Sequence, residues 1–174
     1  MPSHSVSPST PRARQLIEQL QLHPHPEGGW YREVFRSASQ VTPQDSRPAR
    51  NALTSIYFLL EAAQHSRWHR VQSDEVWVHL EGMPVDLWTW DATDGRLHGT
   101  VLGPVSPTTL PQHVVTAGFW QAARPRGSNS TAGFALVACM VGPGFDFADF
   151  QMMAPGGSEA RRIAAEHPHL AFLI

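Results

Sequence analysis

The sequence predicts an all-β domain, a sandwich or small barrel, with short helices near both ends. Three observations carry this reading. Apolar and polar residues alternate at the period of a strand, as where Val76, Val78 and Leu80 interleave with Trp77, His79 and Glu81. Fifteen prolines and thirteen glycines break the 174-residue chain often, which suits short strands joined by turns. Helical spacing is confined to one short segment near each end.

Taken in order, residues 1–10 are rich in Ser and Pro and read as disordered. Residues 12–22 place Leu16, Ile17 and Leu20 at helical spacing, and His23-Pro24-His25-Pro26 stops that helix. Gly28-Gly29 makes a tight bend. A strand follows, with Tyr31, Glu33 and Phe35 on one face and Trp30, Arg32, Val34 and Arg36 on the other. Residues 37–50 form a polar, Pro-containing loop long enough to serve as a flap. Residues 51–60 read as a strand with Thr54, Ile56 and Phe58 opposite Ser55, Tyr57 and Leu59. The polar turn Gln72-Ser73-Asp74 separates His69 from Glu75 and from the strand that Gly82 closes. Residues 85–90 and 97–102 pair across Asp91-Ala92-Thr93-Asp94-Gly95, whose Asp-Gly is a hairpin signal. A loop at 126–129 precedes a buried strand over 134–141. A turn at 142–147 leads to a last short strand at 150–152. Residues 158–166 read as a helix with Ser158 as N-cap, followed by an apolar end at 170–174. The expected organisation is a disordered stretch (1–10), one β domain with its N-terminal helix (11–156), and a helix and tail packed on it (157–174).

Composition narrows the function. The length suffices for a sizeable core without cross-links, and the 41% hydrophobic fraction is ordinary for a globular chain. A net charge of −2 without a basic run makes nucleic acid and anionic membranes poor partners. No apolar run approaches a membrane span, and no signal-peptide core precedes the domain. The single cysteine, Cys139, excludes an intramolecular disulfide; its apolar strand makes it an inert core thiol, and a reducing cytosol is the expected compartment. Six tryptophans are many for this length, and Trp68, Trp77, Trp88 and Trp90 cluster around the His69–Glu75 region. They fit a bulky core or, alternatively, an aromatic-walled pocket in which Trp77 touches a ligand.

His69 and Glu75, brought together by the turn between them, suit a divalent metal or acid–base work on a small molecule. His69 titrates near neutrality and is the expected general base or ligand. Ser66 is close enough to hydrogen-bond a ligand, Asp74 reads as a turn residue, and Glu27 reads as support for the Gly28-Gly29 bend, with ligation as the alternative. Tyr31, Glu33 and Tyr57 fall on strand faces expected to point inward. His23 and His25 belong to a Pro-broken loop without a convincing constellation. No Gly-x-Ser-x-Gly elbow and no phosphate-cradling glycine loop is present.

Two patterns then suggest a family. His69-x-Val71-x3-Glu75-x6-Gly82 resembles the first cupin motif, His-x-His-x3-4-Glu-x6-Gly, and Thr116-Ala117-Gly118-Phe119-Trp120-Gln121 is similar to the second, Pro-x-Gly-x2-His. Three blocks in order more closely resemble the cupin subfamily DUF985, or Cupin 5. They are His25-Pro26-Glu27-Gly28-Gly29-Trp30-Tyr31-Arg32-Glu33, then His69-Arg70-Val71 with Asp74-Glu75, then Trp120-Gln121-Ala122-Ala123 followed by Pro143-Gly144-Phe145-Asp146-Phe147. The resemblance implies a conical cupin barrel, or double-stranded jelly roll, commonly a homodimer, with its site at the open end. The usual three histidines and one glutamate are depleted here, since Val71 and Gln121 replace two of the histidines. His69, Glu75 and Gln121 are left as the candidate ligands of one divalent metal ion, a sparse set.

The function expected from this is binding of a small polar or carbohydrate-like molecule in the barrel mouth. Isomerase or epimerase chemistry would use His69 as base, Glu75 as its partner, and Tyr57 and Gln121 as positioning groups. A tyrosine opposite His69 would resemble the acid–base pair of cupin sugar-nucleotide epimerases. A non-catalytic binding protein and a metal-dependent oxygenase are the alternatives, the second weakened by Val71 and Gln121.

Overall fold

A computed structural model describes residues 10–127 and 133–174. The elements run α1 (Pro11–Leu20), β1 (His23–Pro24), β2 (Trp30–Arg36), β3 (Gln40–Val41), β4 (Arg50–Asn51), β5 (Thr54–Glu61), β6 (Ser66–Val71), β7 (Asp74–Gly82), β8 (Val85–Trp90), β9 (Leu97–Leu102), β10 (Gln112–Val115), β11 (Trp120–Pro125), β12 (Phe134–Gly142), β13 (Phe150–Met152) and α2 (Ser158–Glu166). Short 3-10 turns cover Phe147–Asp149 and Pro168–Leu173. One antiparallel sheet has the order β1-β2-β5-β12-β7-β10, the other β13-β6-β11-β8-β9, and β3 pairs only with β4. This is the jelly-roll arrangement that the family resemblance implied, within the sandwich or barrel class that the alternating pattern predicted. No described helix is long and apolar enough to cross a membrane.

The two sheets face each other across a core of Phe58, Leu60, Trp77, Leu87, Leu102, Val115 and Val137. The chain passes from one sheet to the other at the turn between β6 and β7, so His69 projects inward from one sheet and Glu75 from the other. Residues opposite one another on adjacent antiparallel strands share a face. Arg36, Thr54, Val141 and Glu75 therefore form one inward row, and Glu33, Ile56, Cys139 and Trp77 the next.

A bulge in β2 makes the first row possible. Glu33 lies opposite Ile56, yet Phe35 lies opposite Ser55, so Val34 is an extra residue without a partner. An inserted residue reverses the inward and outward sense of everything beyond it. Phe35, expected inward by strict alternation, is half-exposed on the outer face, and Arg36 turns inward instead.

Each outer sheet face is covered. α1 lays Ala13 and Leu16 over Leu59, Phe134 and Leu136. It begins at Thr10, whose hydroxyl accepts the Ala13 N–H at 3.1 Å, with Pro11 next, where a missing N–H costs nothing. The disorder expected over 1–10 falls, for residues 1–9, outside the described residues, as do Ser128 and Asn129 of the 126–129 loop. At the other end α2 and the final 3-10 turn bury Ile163, Leu170 and Leu173 against Trp68, Trp90 and Trp120. At about 2 kcal/mol per fully buried aliphatic side chain, these three hold the C-terminal segment on the sheet. Gly157, not Ser158, is the N-cap of α2, and the Ser158 hydroxyl donates to Glu159 instead.

Candidate functional site

A cavity of about 500 Å³ opens between the sheets. Its walls are largely apolar: Ile56, Phe58, Val71 and Val141 from the strands, with Phe145, Phe147 and Phe150 from the segment that ends in β13. The three phenylalanines pack edge to face, with ring centroids 5.0–6.1 Å apart. At the mouth Arg36 grips Glu33 through two contacts of 2.8 and 2.7 Å, and also donates to Asn51 and to the Phe145 carbonyl. That guanidinium is therefore spent on the protein.

The chemistry lies on the floor. His25 and Glu27 enter from the turn between β1 and β2, and that turn is built by its glycines. Gly28 has φ +114°, and a Cβ there would stand 2.2 Å from the His65 carbonyl oxygen; Gly29 has φ +70°. Only glycine accepts both conformations at such close approach. The turn is tied to β6 by the Arg67 N–H, which donates to the Glu27 carbonyl at 2.9 Å. These constraints swing the Glu27 side chain inward against β6.

There Glu27 Oε1 accepts a 2.8 Å hydrogen bond from Ser66 Oγ. Its Oε2 lies 3.2 Å from His69 Nε2 and 3.4 Å from His25 Nδ1. The hydrogen-bond roles of both rings are fixed by the main chain. His69 Nδ1 stands 2.8 Å from the Arg67 carbonyl, which can only accept, so Nδ1 carries the proton and Nε2 is bare. His25 Nδ1 receives the Glu27 N–H at 3.3 Å, so this nitrogen is bare too. Glu27 Oε2 thus lies between two nitrogen lone pairs, an arrangement that calls for a proton on the oxygen. Burial outweighs the partial relief from Ser66 and Arg67 and leaves the Glu27 carboxyl pushed up to about 8. Both lines of reasoning make Glu27 a neutral carboxylic acid at pH 7. Burial holds His25 down to about 3, with nearby His69 adding to the effect. Burial also lowers His69, opposed by the field of Glu75 and by the Arg67 carbonyl.

Glu75 approaches from β7. Burial raises its carboxyl, while His69, the Gln121 amide and the Cys139 thiol favour the ionised form. Its Oε2 accepts from Gln121 Nε2 at 2.6 Å, and Gln121 Oε1 accepts from Trp77 Nε1 at 3.0 Å. This chain from indole through amide to carboxylate fixes Glu75 across the two sheets.

The sequence candidates are therefore sorted by position. His69, Glu75, Tyr31 and Glu33 line the cavity. Ser66 is buried behind it, holding Glu27, and Gln121 and Trp77 are buried beside it, holding Glu75. Tyr57 does not reach the cavity: as the residue between Ile56 and Phe58 it points to the outer face of β5, under α1. The tryptophans do not wall the pocket; Trp68, Trp90 and Trp120 lie outside the barrel beneath the C-terminal segment, and phenylalanines supply the aromatic surface. Cys139 lines the cavity beside Glu75, where burial raises its thiol well above its ordinary value. The 37–50 loop is clamped, since Arg47 and Arg50 both reach the buried Asp149, at 3.0 and 2.9 Å.

His25 and Glu27 are the cavity-lining residues that alternation could not find. They sit in a turn, where no period reports direction; the signals were the Gly28-Gly29 pair immediately after them and their place in the first block of the family resemblance. The donor set also fits a metal poorly. The Gln121 oxygen is engaged by Trp77, Val71 contributes no ligand atom, and Glu27 Oε2 requires a proton. Among the described residues no group of three or more His, Cys, Asp or Glu is placed to hold a metal ion.

The chain matches the family model of the cupin superfamily called Cupin_5 (DUF985) over residues 14–153. A solved structure of a Shewanella oneidensis protein is 31% identical, covers 92% of this chain and 93% of its own, and superposes with a TM-score of 0.75. A hypothetical protein from Leishmania major is 33% identical, covers 93% and 96%, and gives 0.77. Oxalate decarboxylase of Bacillus subtilis, at 14% identity and a TM-score of 0.54 over 84% of this chain and 35% of its own, shares the fold alone. No curated protein matches the chain in sequence.

Proposed function

The chain belongs to the DUF985 family of the cupin superfamily, and from that premise we propose that its cavity binds a small polar or carbohydrate-like molecule and moves a proton on it, as an isomerase or epimerase does. The observation that carries this reading is the contact of Glu27 Oε2 with His69 Nε2 at 3.2 Å on the floor of the cavity. It pairs a carboxylic acid with a bare imidazole nitrogen in a water-poor setting, where each group is held in the form the other needs. A volume of about 500 Å³ suits a ligand of monosaccharide size or somewhat larger.

The step runs on a carbon next to a carbonyl. His69 Nε2 takes the C–H proton while Glu27 turns its Oε2 proton from Nε2 to the carbonyl oxygen. The substrate becomes a neutral enol, and the protein holds a His69 imidazolium beside a Glu27 carboxylate. Return of a proton to the other face, or to the neighbouring carbon, completes epimerisation or isomerisation and restores the starting pair. Glu75 supports the step through its field, which favours charge on His69. Its geometry is kept by Gln121 and Trp77.

The test is solvent exchange. Dihydroxyacetone, aldoses and uronic acids are incubated with the protein in deuterium oxide, and loss of the carbon-bound proton signal is followed by NMR. Exchange above the buffer rate that disappears in His69→Ala and Glu27→Gln, both still folded, supports the reading. No exchange with any of these compounds, or exchange unchanged in both variants, overturns it.

A further inference from the structure

His25 presents a different chemical edge to the cavity from His69. Its ring is 6% exposed and lies edge-on to Tyr31, Phe58 and Phe150, at centroid distances of 4.4, 5.9 and 6.0 Å. These contacts leave it little freedom to turn. Its Nδ1 is occupied as an acceptor by the Glu27 N–H. A neutral imidazole that accepts at one nitrogen carries its proton on the other, so Nε2 is an N–H donor. Among the described residues no acceptor meets that N–H, while the ring itself lines the cavity. His69 is the mirror case: its Nδ1–H is committed to the Arg67 carbonyl, which leaves Nε2 as the lone-pair edge. Main-chain groups thus lock the two histidines in opposite tautomers on either side of one carboxyl group.

We infer that His25 is a further catalytic residue, a neutral imidazole whose Nε2–H donates to the substrate's carbonyl oxygen while His69 works on the adjacent carbon. This rests on the proton-transfer reading above and adds to the Glu27 acid a second donor to the same oxygen, one that the fold holds fixed and that keeps its proton. A donor pre-set by the fold need not reorganise as negative charge builds on that oxygen, and its stabilisation grows between ground state and transition state. The inference also sets the ligand's orientation: carbonyl toward the β1–β2 turn, acidic carbon toward β6.

Two measurements on the full chain test it. Long-range proton–nitrogen NMR at pH 7 reports the tautomer of each ring without any ligand. The expected spectrum has His25 as Nε2–H and His69 as Nδ1–H; a His25 that is Nδ1–H, or doubly protonated, overturns the inference. The second uses the exchange of dihydroxyacetone protons with solvent in His25→Leu, which removes the donor, and His25→Gln, which keeps an N–H near the old Nε2. With unfolding midpoints measured first to show that both fold, kcat should fall about 100-fold in His25→Leu at nearly constant KM, in the range seen for a single lost oxyanion donor. His25→Gln should recover to within about tenfold of the wild type. Equal loss in both variants, or a change confined to KM, would assign His25 to packing or ground-state binding. Absence of exchange in the wild type would remove the proton-transfer reading itself, while the nitrogen spectrum still decides which edge His25 turns to the cavity.

Discussion

Replacing Glu27 by Gln removes the ionisable group and keeps its shape, and the consequence for stability is calculable. In the unfolded chain a glutamate ionises freely above its ordinary value of 4.5, whereas in the fold Glu27 stays un-ionised up to about 8. A folded value raised above the unfolded one contributes stability that is fully present below pH 4.5 and is lost as pH rises through about 8. At about 1.4 kcal/mol per pH unit, the loss across that window has a ceiling on the order of 5 kcal/mol. Relaxation and water entry around a carboxylate bring the observable part to roughly 2–4 kcal/mol. Glutamine has no such term, and its amide can accept from Ser66 and donate toward His69. Urea unfolding followed by fluorescence of the buried tryptophans, at intervals from pH 4.5 to 9, should therefore show the two proteins close together in acid. The Glu27→Gln variant should become progressively the more stable, with the gap levelling off above about 8. The reasoning is refuted if the gap is flat, or if the wild type gains on the variant as pH rises. Either result would mean that Glu27 is already ionised and paired with a charged His69.

Other expectations follow from the same geometry. Gly28→Ala should cost 2 kcal/mol or more, to about 4, because the added Cβ meets the His65 carbonyl at 2.2 Å in a left-handed backbone; calorimetry checks the loss, and exchange activity should fall with it as Glu27 moves. Asp149→Asn leaves Arg47 and Arg50 without their shared counter-charge and should lower stability by roughly 2–3 kcal/mol near neutrality. Arg50 is the main cause holding Asp149 below its ordinary 3.8, so the wild-type advantage is present above that pH and should vanish as pH falls below it. Ile163→Ala empties a fully buried site under α2 and should cost about 2–4 kcal/mol in urea unfolding, with little effect on ligand exchange at the distant cavity.

Much of the architecture was legible because strand burial imposes a period of two, and the Asp-Gly and Gly-Gly turns punctuate it. The split of β5 into Thr54, Ile56 and Phe58 against Ser55, Tyr57 and Leu59 matches its two faces, but the face of Tyr57 was expected inward and it is the other that lines the cavity. Val34 was illegible: an extra residue in a bulge leaves no mark in a pattern of alternating polarity, so Arg36 and Phe35 were exchanged. His25 and Glu27 were missed because a turn has no periodicity and their direction depends on close approach to the His65 and Leu59 carbonyls, a tertiary fact. Trp77 and Gln121 lie beside Glu75, but their mutual hydrogen bond is buried and neither side chain lines the cavity. Competition among neighbours for a donor or acceptor is invisible one strand at a time.

The extra residue in β2 has an evolutionary corollary. Because Val34 has no partner while Phe35 already sits opposite Ser55 and Arg36 opposite Thr54, deletion of that single codon would straighten the strand and leave the guanidinium at the doorway and the phenyl ring outside. A lineage could thereby gain or lose this residue in one indel without changing what the entrance admits.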